Sequence, residues 1–323
     1  MEKTLAAPTS LLEAIRYFAD KDLALAFMVE MRWPNGVTCP HCDAEKPLFL
    51  KTRRIWKCRV CRKQFSVKVG TIFEDSPLGL DKWLPALWML ANCRNGISSY
   101  ELARDLKVTQ KTAWFMLGRI RLAMQTGSFK KLRGVVEIDE AFVGGLAKFM
   151  HQHRRERVIK SPGARRKKAV LGMLQRGKRG KLSQIRALVT DELNAEALAE
   201  HIYPVVQKGS AVYTDMATAY NRILPAKYRH ESVDHAREYV RGKVHTNGLE
   251  NFWSLLKRAI KGSYISVDPF HLFRYVDEQA FRFNVRGQSE WSRFGAVARD
   301  IIDKRLTYAK LVSAGMAFST TPA

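Results

Sequence analysis

The chain has 323 residues and a formal net charge of +24, with 55 lysines and arginines against 31 aspartates and glutamates. So large a positive charge favours a polyanionic partner, and nucleic acid fits it better than a membrane surface. Hydrophobic residues make up 46% of the chain, which excludes global disorder. No apolar run approaches the ~18 residues of a membrane span, and the start, MEKTLAAPTS, lacks a signal-peptide pattern. We expect a cytoplasmic protein of about two or three domains, without structural disulfides.

Four of the five cysteines fall into two pairs separated by fifteen residues: Cys39 with Cys42 (CPHC) and Cys58 with Cys61 (CRVC). Each C-x-x-C turn places two thiolates on one side of a metal, so two such turns complete a tetrahedral site. We therefore predict a zinc ribbon that holds a structural Zn²⁺ with four protein ligands and no open position for water. A redox pair or unrelated thiols are the alternative.

Helical patterns surround the predicted ribbon. Residues 11–31 have the periodicity of an N-terminal helix, and Asp81 is predicted to cap a helix that runs to about Cys93. Ser98 and Glu101 have the spacing of a capping box, which predicts that a short helix begins there.

The stretch GISSYELARDLKVTQKTAWFMLGRIRLAM gives a short helix, a tight turn and a longer basic helix, which is the order of a helix-turn-helix. The start of the second helix is predicted to face the DNA major groove with Gln110, Lys111 and Thr112. Arg62 and Lys63, beside the second cysteine pair, are predicted to contact phosphates. Two helices and a turn also occur in proteins that bind no DNA, so the prediction depends on the basic ribbon beside them.

A different pattern follows Lys131. GVVEIDEAFVGG alternates as a strand, two further strands form a hairpin around GKRGK, and helix, strand, helix, strand and helix follow. This order predicts an α/β domain with a mixed sheet covered by helices, compatible with the ribonuclease-H-like fold. The stretch 151–181, between and within the first strands, contains twelve lysines and arginines against one acid. It is either a solvated loop or a segment that grips nucleic acid.

Three acids of this region are candidate metal ligands. Asp139 lies inside the first strand, Asp215 lies where the fourth strand ends, and Glu250 lies on the late helix that begins in HTNGLENFWSLLKR. Carboxylates that converge at one edge of a sheet repel one another unless cations neutralise them, and oxygen ligands suit Mg²⁺. We predict two Mg²⁺ (or Mn²⁺) ions, an arrangement that supports phosphodiester chemistry.

Each acid also has a structural interpretation. Asp215 could cap the helix that follows it. Glu250 stands three residues after Asn247, which is the spacing of a capping arrangement. The spacing leaves open whether Glu137 or Glu140 assists Asp139. The outer face of the late helix is basic and is predicted to hold backbone phosphates with Lys257, Arg258 and Lys261.

The chain resembles bacterial insertion-sequence transposases of the DDE type that carry an N-terminal zinc ribbon. The blocks that carry the resemblance are RWPNGVTCPHC, CRVCRKQFSVKVGTIF, VEIDEAFVGG, VYTDMATAY and SVDHAREYVRGKVHTNGLENFWSLLKRAIKGSY with DEQAFRFNVR. The resemblance implies that Asp139, Asp215 and Glu250 are the catalytic acids on a ribonuclease-H-like fold. Such enzymes bind the inverted-repeat ends of their element, cleave them hydrolytically and join the 3′ hydroxyls to target DNA. Two departures stand out: Ile265 with Ser266 replaces a histidine pair, and Leu146 replaces a lysine.

The resemblance and the patterns together give a domain division: helical 1–35, zinc ribbon 36–75, helix-turn-helix 76–131, catalytic 132–290 and a helical tail 291–323. The expected partners are double-stranded DNA and further copies of the chain, at least as a dimer on DNA, with no membrane and no small-molecule substrate. The expected location is the bacterial cytoplasm, with the nucleoid. The alternatives are a nuclease of the same fold and a regulator that binds DNA without cutting it.

Overall fold

The computed structural model describes residues 6–125, 130–144, 167–178, 180–215, 218–233 and 243–313. The chain divides into two compact units. Residues 1–124 and 288–323 form the first unit, and residues 125–287 form the second.

The first unit is mainly helical, and the residues after 288 pack with its N-terminal helices. Its core is aromatic: Phe27 stacks on Phe294 with ring centroids 5.3 Å apart, and Trp88 also contacts Phe294. The seven described helices of this unit are α1 (Leu11–Ala19), α2 (Lys21–Arg32), α3 (Leu80–Asn92), α4 (Ser99–Leu106), α5 (Gln110–Ala123), α10 (Glu290–Arg299) and α11 (Tyr308–Val312).

The first helical segment differs from the sequence prediction of one helix over 11–31. Asp20 interrupts it with an extended backbone, and its carboxylate accepts the N–H groups of Asp22 and Leu23. An aspartate in this position satisfies N–H groups at the start of a helix, so a second helix begins there.

The helix caps after the ribbon are partly as predicted. The capping box of Ser98 and Glu101 is confirmed, and the Thr109 hydroxyl caps α5 as the sequence indicates. Asp81 does not cap α3: the N-cap is Gly79, and Asp81 lies in the first turn. An acid there still interacts favourably with the positive end of the helix dipole.

Three short antiparallel strands form the predicted ribbon: β1 (Leu48–Leu50), β2 (Ile55–Lys57) and β3 (Gln64–Phe65), in the order β1-β2-β3. Trp56 of β2 is buried and stacks on Phe65 of β3. So small a sheet has little apolar core of its own, and a metal usually supplies the missing stability in such modules.

The second unit is built on a mixed sheet of five strands: β4 (Val135–Val143), β5 (Lys168–Gln175), β6 (Gln184–Thr190), β7 (Ala211–Asp215) and β8 (Arg229–Val233). Their order in the sheet is β6-β5-β4-β7-β8. The pairs β4–β5 and β5–β6 are antiparallel, whereas β4–β7 and β7–β8 are parallel. The five predicted strands and the predicted mixed sheet are therefore confirmed.

Helices cover both faces of this sheet. One apolar cluster joins the strands to α6 (Ala195–Val205) and α7 (Thr218–Ile223), and a second joins them to α8 (Asn247–Arg258) and α9 (Leu272–Asn284). Side chains alternate along β4, so Val136 and Ile138 face α6 and α7, while Ala141 and Val143 face α8 and α9. By the same alternation, Glu137 and Asp139 belong to the α8 face and Glu140 to the α7 face.

Within the described residues, no helix is both long enough and apolar enough to cross a membrane.

Candidate metal and nucleic-acid sites

The four predicted zinc ligands meet. The Sγ atoms of Cys39 and Cys61 lie 3.7 Å apart, and those of Cys42 and Cys58 lie 3.6 Å apart. Zn–S bonds of about 2.3 Å in a tetrahedron place sulfurs about 3.8 Å apart, whereas a disulfide bond is about 2.05 Å long. The spacing therefore fits four thiolates around one zinc ion, and the redox-pair alternative finds no support in it.

The second cysteine turn also has the electrostatics of a metal ligand. The backbone N–H groups of Cys61 and Val60 point to the Cys58 sulfur at 3.4 and 3.3 Å and lower the pKa of that thiol. Metals bind the thiolate rather than the thiol. The two turns thus supply the ligand set of a structural zinc site, and the second turn favours the ionised form of Cys58.

In the second unit, Asp139, Glu140 and Asp215 come together, with one carboxylate oxygen of each within 4.8 Å of the others. The register explains the meeting of the two aspartates. The last parallel pair between β4 and β7 is Glu137 with Tyr213, and Asp139 and Asp215 each lie two residues further on. Asp215 is the last residue of β7, and Asp139 lies on β4 just past the last β4–β7 pair. Both side chains therefore lie where these two parallel strands stop pairing, and open α/β sheets bind ligands beyond the carboxyl ends of their parallel strands.

Glu140 reaches the same place from the other face of the sheet. Its carboxylate accepts a hydrogen bond from the buried hydroxyl of Tyr220 on α7. Burial raises the pKa of Glu140 to about 7, and the charges of Asp215 and Asp139 act in the same direction, while the Tyr220 bond opposes them. Three carboxylates this close repel one another, and a bound cation relieves that repulsion. This donor set fits Mg²⁺ or Mn²⁺, which prefer oxygen ligands.

The helix that carries Glu250 is fixed to Asp139 directly. Trp253 Nε1 donates a hydrogen bond to Asp139 Oδ2 over 2.8 Å. Gly172, the partner of Asp139 on β5, leaves the space that the indole occupies. A Cβ at Gly172 would lie 2.7 Å from the Trp253 ring and 2.8 Å from Leu249. The absence of a side chain at Gly172 thus lets α8 approach the sheet closely enough for this bond.

A buried ion pair fixes the beginning of α8. Glu137, 1% exposed, pairs with Arg176 Nε over 2.6 Å, and its other carboxylate oxygen accepts the N–H of Leu249 over 3.1 Å. Arg176 also donates to the carbonyl oxygen of His245 over 2.7 Å. The interpretation of Asn247 as a cap is wrong: the N-cap is Thr246, without a side-chain cap bond. An acid on the neighbouring strand satisfies the helix start instead.

Glu250 lies in the first turn of α8, one turn before Trp253, and its side chain is exposed. Its carboxylate is not a member of the group formed by Asp139, Glu140 and Asp215. The predicted phosphate contacts share its exposed helix face or continue it, at Lys257, Arg258 and Lys261. The structure thus places two of the three predicted acids together, adds Glu140, and leaves Glu250 on an adjacent exposed surface.

The comparisons with known proteins indicate a family. Residues 131–284 match the family model of the ISXO2-like transposase domain, and residues 20–64 match that of a transposase zinc-ribbon domain. A protein of Halobacterium salinarum, described as an uncharacterized protein in transposable element ISH50, is 30% identical over 264 residues. The match covers 76% of this chain and 84% of that relative. The chain belongs to the ISXO2-like transposase family.

The remaining predicted contacts of this transposase-family chain lie on the first unit. Arg62 and Lys63 are exposed beside the cysteines. At the start of α5, the Gln110 amide donates to Ser99 over 2.8 Å, so it also joins the two helices. Two further residues contact neighbours in this unit: the Thr112 hydroxyl contacts that of Thr109, and the Lys111 ammonium lies over the Tyr308 ring.

Two features of the sequence analysis lie outside the described residues: Leu146, and residues 151–166, which hold six of the twelve cations of the basic stretch. Sequence reasoning left Glu137 and Glu140 undistinguished and missed Gly172. The strand alternation already contained part of the answer, because it places Glu137 on the same face as Asp139 and Glu140 on the opposite one. The pairing of β4 with β7 stops after Glu137, and Glu140 lies with the two aspartates just beyond that point. The sequence does not indicate where this pairing stops.

Proposed function

We propose that the chain is a DNA transposase that binds the terminal inverted repeats of its element, cleaves the ends by metal-dependent phosphodiester hydrolysis, and joins the 3′ hydroxyls to target DNA. The observation that carries the proposal is the meeting of Asp139 and Asp215 where the parallel strands β4 and β7 stop pairing, in a chain of a transposase family. The proposed fold of the second unit is ribonuclease-H-like, which the strand order β6-β5-β4-β7-β8 supports.

The proposed metal ligands are Asp139 and Asp215, with Glu140 beside them and Glu250 supplied from α8. When bound, a pair of Mg²⁺ or Mn²⁺ ions activates the attacking oxygen and stabilises the leaving oxygen of a phosphodiester. The role of the protein is to hold the carboxylates close together despite their repulsion. Trp253 fixes one oxygen of Asp139, and Tyr220 fixes Glu140.

Glu250 is proposed as a ligand because of where α8 is held. Residues three positions apart on a helix are neighbours on its surface, so Glu250 lies about one turn, roughly 5 Å, from the residue that bonds to Asp139. Its side chain is exposed and therefore able to turn without disturbing the core. Lys257, Arg258 and Lys261 follow it and hold the DNA backbone against the acids, because lysine and arginine neutralise phosphates.

The ribbon and the α4–α5 pair are proposed to recognise the element ends. Support comes from the four-cysteine cluster, the zinc-ribbon match and the short turn that joins α4 to α5. In a helix-turn-helix the start of the second helix enters the major groove. Here this position carries Gln110, Lys111 and Thr112, and the ribbon adds Arg62 and Lys63.

The test uses a labelled duplex that carries the inverted repeat flanking the gene. The full chain is incubated with it in Mg²⁺ or Mn²⁺, with a target plasmid present, and Asp139→Asn is treated in parallel. We expect a 3′ hydroxyl at the repeat boundary, joined products, and loss of both in the variant. Cutting without joining would favour a nuclease. Tight binding without cutting by either protein would favour a regulator.

A further inference from the structure

At the end of the sheet opposite the acids, the segments that connect the strands contain cations and no acids. These described segments are 130–134 before β4, 176–178 and 180–183 between β5 and β6, 206–210 before β7, and 225–229 at the start of β8. Each contains lysine or arginine, and none contains aspartate or glutamate. We name this surface the basic edge, and its exposed cations include Lys130, Lys131, Arg133, Lys178, Lys208 and Arg229.

Backbone hydrogen bonds join these segments into one continuous surface. Three of them are Gln207 N to Leu132 O (2.8 Å), Arg176 N to Val135 O (2.9 Å) and Gly209 N to Lys227 O (2.9 Å). The segment before β4 therefore lies at the centre, with a segment bonded on each side. The cations are neighbours in space, although they come from parts of the chain up to a hundred residues apart.

A surface of this kind has an electrostatic cost, because like charges without acids among them repel one another. The one arginine of these segments that pairs with a buried acid in the described structure is Arg176, which serves Glu137 inside the unit. The six cations named above are exposed, so solvent screens part of the repulsion. A polyanion removes it more fully, and duplex DNA presents one phosphate per ~1.7 Å of helix axis.

We propose that the basic edge binds the backbone of duplex DNA without regard to sequence, outside the phosphodiester that is cut. The proposal rests on the proposed function, since it assigns a further DNA contact to the same domain. The four strands β5, β4, β7 and β8 span three steps of ~4.8 Å, about 14 Å, which is comparable with the ~12 Å major groove between two phosphate backbones.

The distance to the acids separates this contact from the chemistry. From Gly134 to Asp139 the chain advances five residues along β4, about 17 Å at ~3.3 Å per residue. DNA on the basic edge is therefore a different segment, or a different duplex, from the one whose phosphate lies at Asp139. A transposase that joins element ends to a target handles more than one segment of DNA.

The test compares two variants of the full chain with the same change in net charge. The basic-edge variant carries Arg133→Gln, Lys178→Gln, Lys208→Gln and Arg229→Gln. The control variant carries Arg16→Gln, Lys21→Gln, Arg94→Gln and Arg299→Gln, all at exposed positions of the first unit. Binding to a labelled duplex of unrelated sequence is measured by fluorescence anisotropy over a range of salt, without divalent metal.

We expect the basic-edge variant to bind more weakly and its slope of log K against log salt to fall by about 3 to 4, since each phosphate contact contributes ~0.9. The control is expected to change the slope by less than about 1. Equal losses in both variants would mean that net charge alone matters and would overturn the proposal. An unchanged duplex affinity with a loss for single-stranded RNA or an acidic peptide would overturn it in favour of that partner.

Folding and the proposed function are checked separately. Thermal melts identify a misfolded variant, in which case a photo-crosslinking amino acid in place of Lys208 replaces the fourfold change and is expected to crosslink DNA. The same amino acid in place of Arg16, an exposed residue of the first unit, serves as the control, and equal crosslinking of the two would overturn the proposal. Because all readouts are binding without metal, they stay interpretable if the protein cuts no DNA. If the parent protein cuts no DNA but binds duplex DNA through the basic edge, the proposed function fails and the basic-edge proposal stands.

Discussion

Trp253 and Asp139 are joined by a hydrogen bond of 2.8 Å between a helix and the strand that carries a predicted catalytic acid. A second contact lies beside it, where Glu137 accepts the N–H of Leu249. Glu137 and Asp139 are two residues apart on β4 and share one face of the strand. Leu249 and Trp253 are four residues apart on α8 and share one side of the helix, so both contacts form together. The two contacts fix both the position and the rotation of the helix that presents Glu250.

Trp253→Phe is expected to weaken the metal site without unfolding the protein. The ring stays buried, but the hydrogen bond to a charged carboxylate, about 1.5–3 kcal/mol, is lost. We expect a roughly tenfold or greater loss of Mn²⁺ affinity by calorimetry and a similar loss of cleavage. Trp291→Phe, in the aromatic core of the other unit, is the control and should leave Mn²⁺ affinity unchanged. Equal affinities for Trp253→Phe and the parent would refute a positioning role.

Gly172→Ala should destabilise the second unit. The added Cβ would meet Trp253 and Leu249 at 2.7–2.8 Å, and overpacking of this kind costs about 1–3 kcal/mol. Urea unfolding is the measurement. Gly262→Ala is the matched control, because a Cβ there meets nothing within 4 Å. An unchanged midpoint for Gly172→Ala would show that α8 is not packed as closely as described.

Glu137→Gln tests the buried ion pair. The amide oxygen is still able to accept the Leu249 N–H, but Arg176 loses its charge partner, and breaking a buried pair costs about 3–5 kcal/mol. We expect a loss near the lower end of that range in urea unfolding, since Arg176 is 20% exposed. Glu196→Gln is the control, because its pair with Arg222 is exposed and such pairs contribute about 1 kcal/mol or less. Similar small losses in both variants would contradict the structural role given to Glu137.

Cys58→Ser is expected to abolish zinc binding and to weaken binding of the element ends. Removing one of four thiolates leaves an incomplete site, and small zinc modules fold with their metal. Elemental analysis gives the zinc content directly. Cys93→Ser, on a residue outside the four-cysteine group, should keep zinc at the parent level. Full zinc content in Cys58→Ser would rule out the ribbon as described.

The sequence predicted what depends on local pattern. Apolar alternation identified the five strands, cap residues identified the start of α4, and spacing identified the cysteine group. Features that depend on contacts between distant segments were beyond it. The Glu137–Arg176 pair and the space at Gly172 arise from the packing of α8 on the sheet, which no window of sequence contains.

Asp20 and Asp81 show the same limit at helix ends. Both are acids at plausible helix starts, and a pattern does not tell which of the nearby residues adopts the extended backbone of an N-cap. Asp20 does and divides the first helix, whereas Gly79 takes that place before Asp81. The resemblance to transposases supplied the order of the acids, but only coordinates distinguish an acid inside the cluster from one on the adjacent helix face.

Glu140→Gln and Glu250→Gln separate the two candidates for the third carboxylate. Replacing a true metal ligand should lower cleavage by on the order of 100-fold or more, because several kcal/mol of transition-state stabilisation by the metals are lost. Binding of the element end in EDTA should stay at the parent level in both variants, since neither acid contacts DNA in the proposed arrangement.

We expect Glu250→Gln to abolish cleavage. We expect Glu140→Gln to lower both cleavage and Mn²⁺ affinity, because Glu140 already lies with the two aspartates. Ser254→Ala, on the same exposed face as Glu250, is the control. Retained cleavage in Glu250→Gln would remove that residue from the site and leave Asp139, Glu140 and Asp215 as the ligand set.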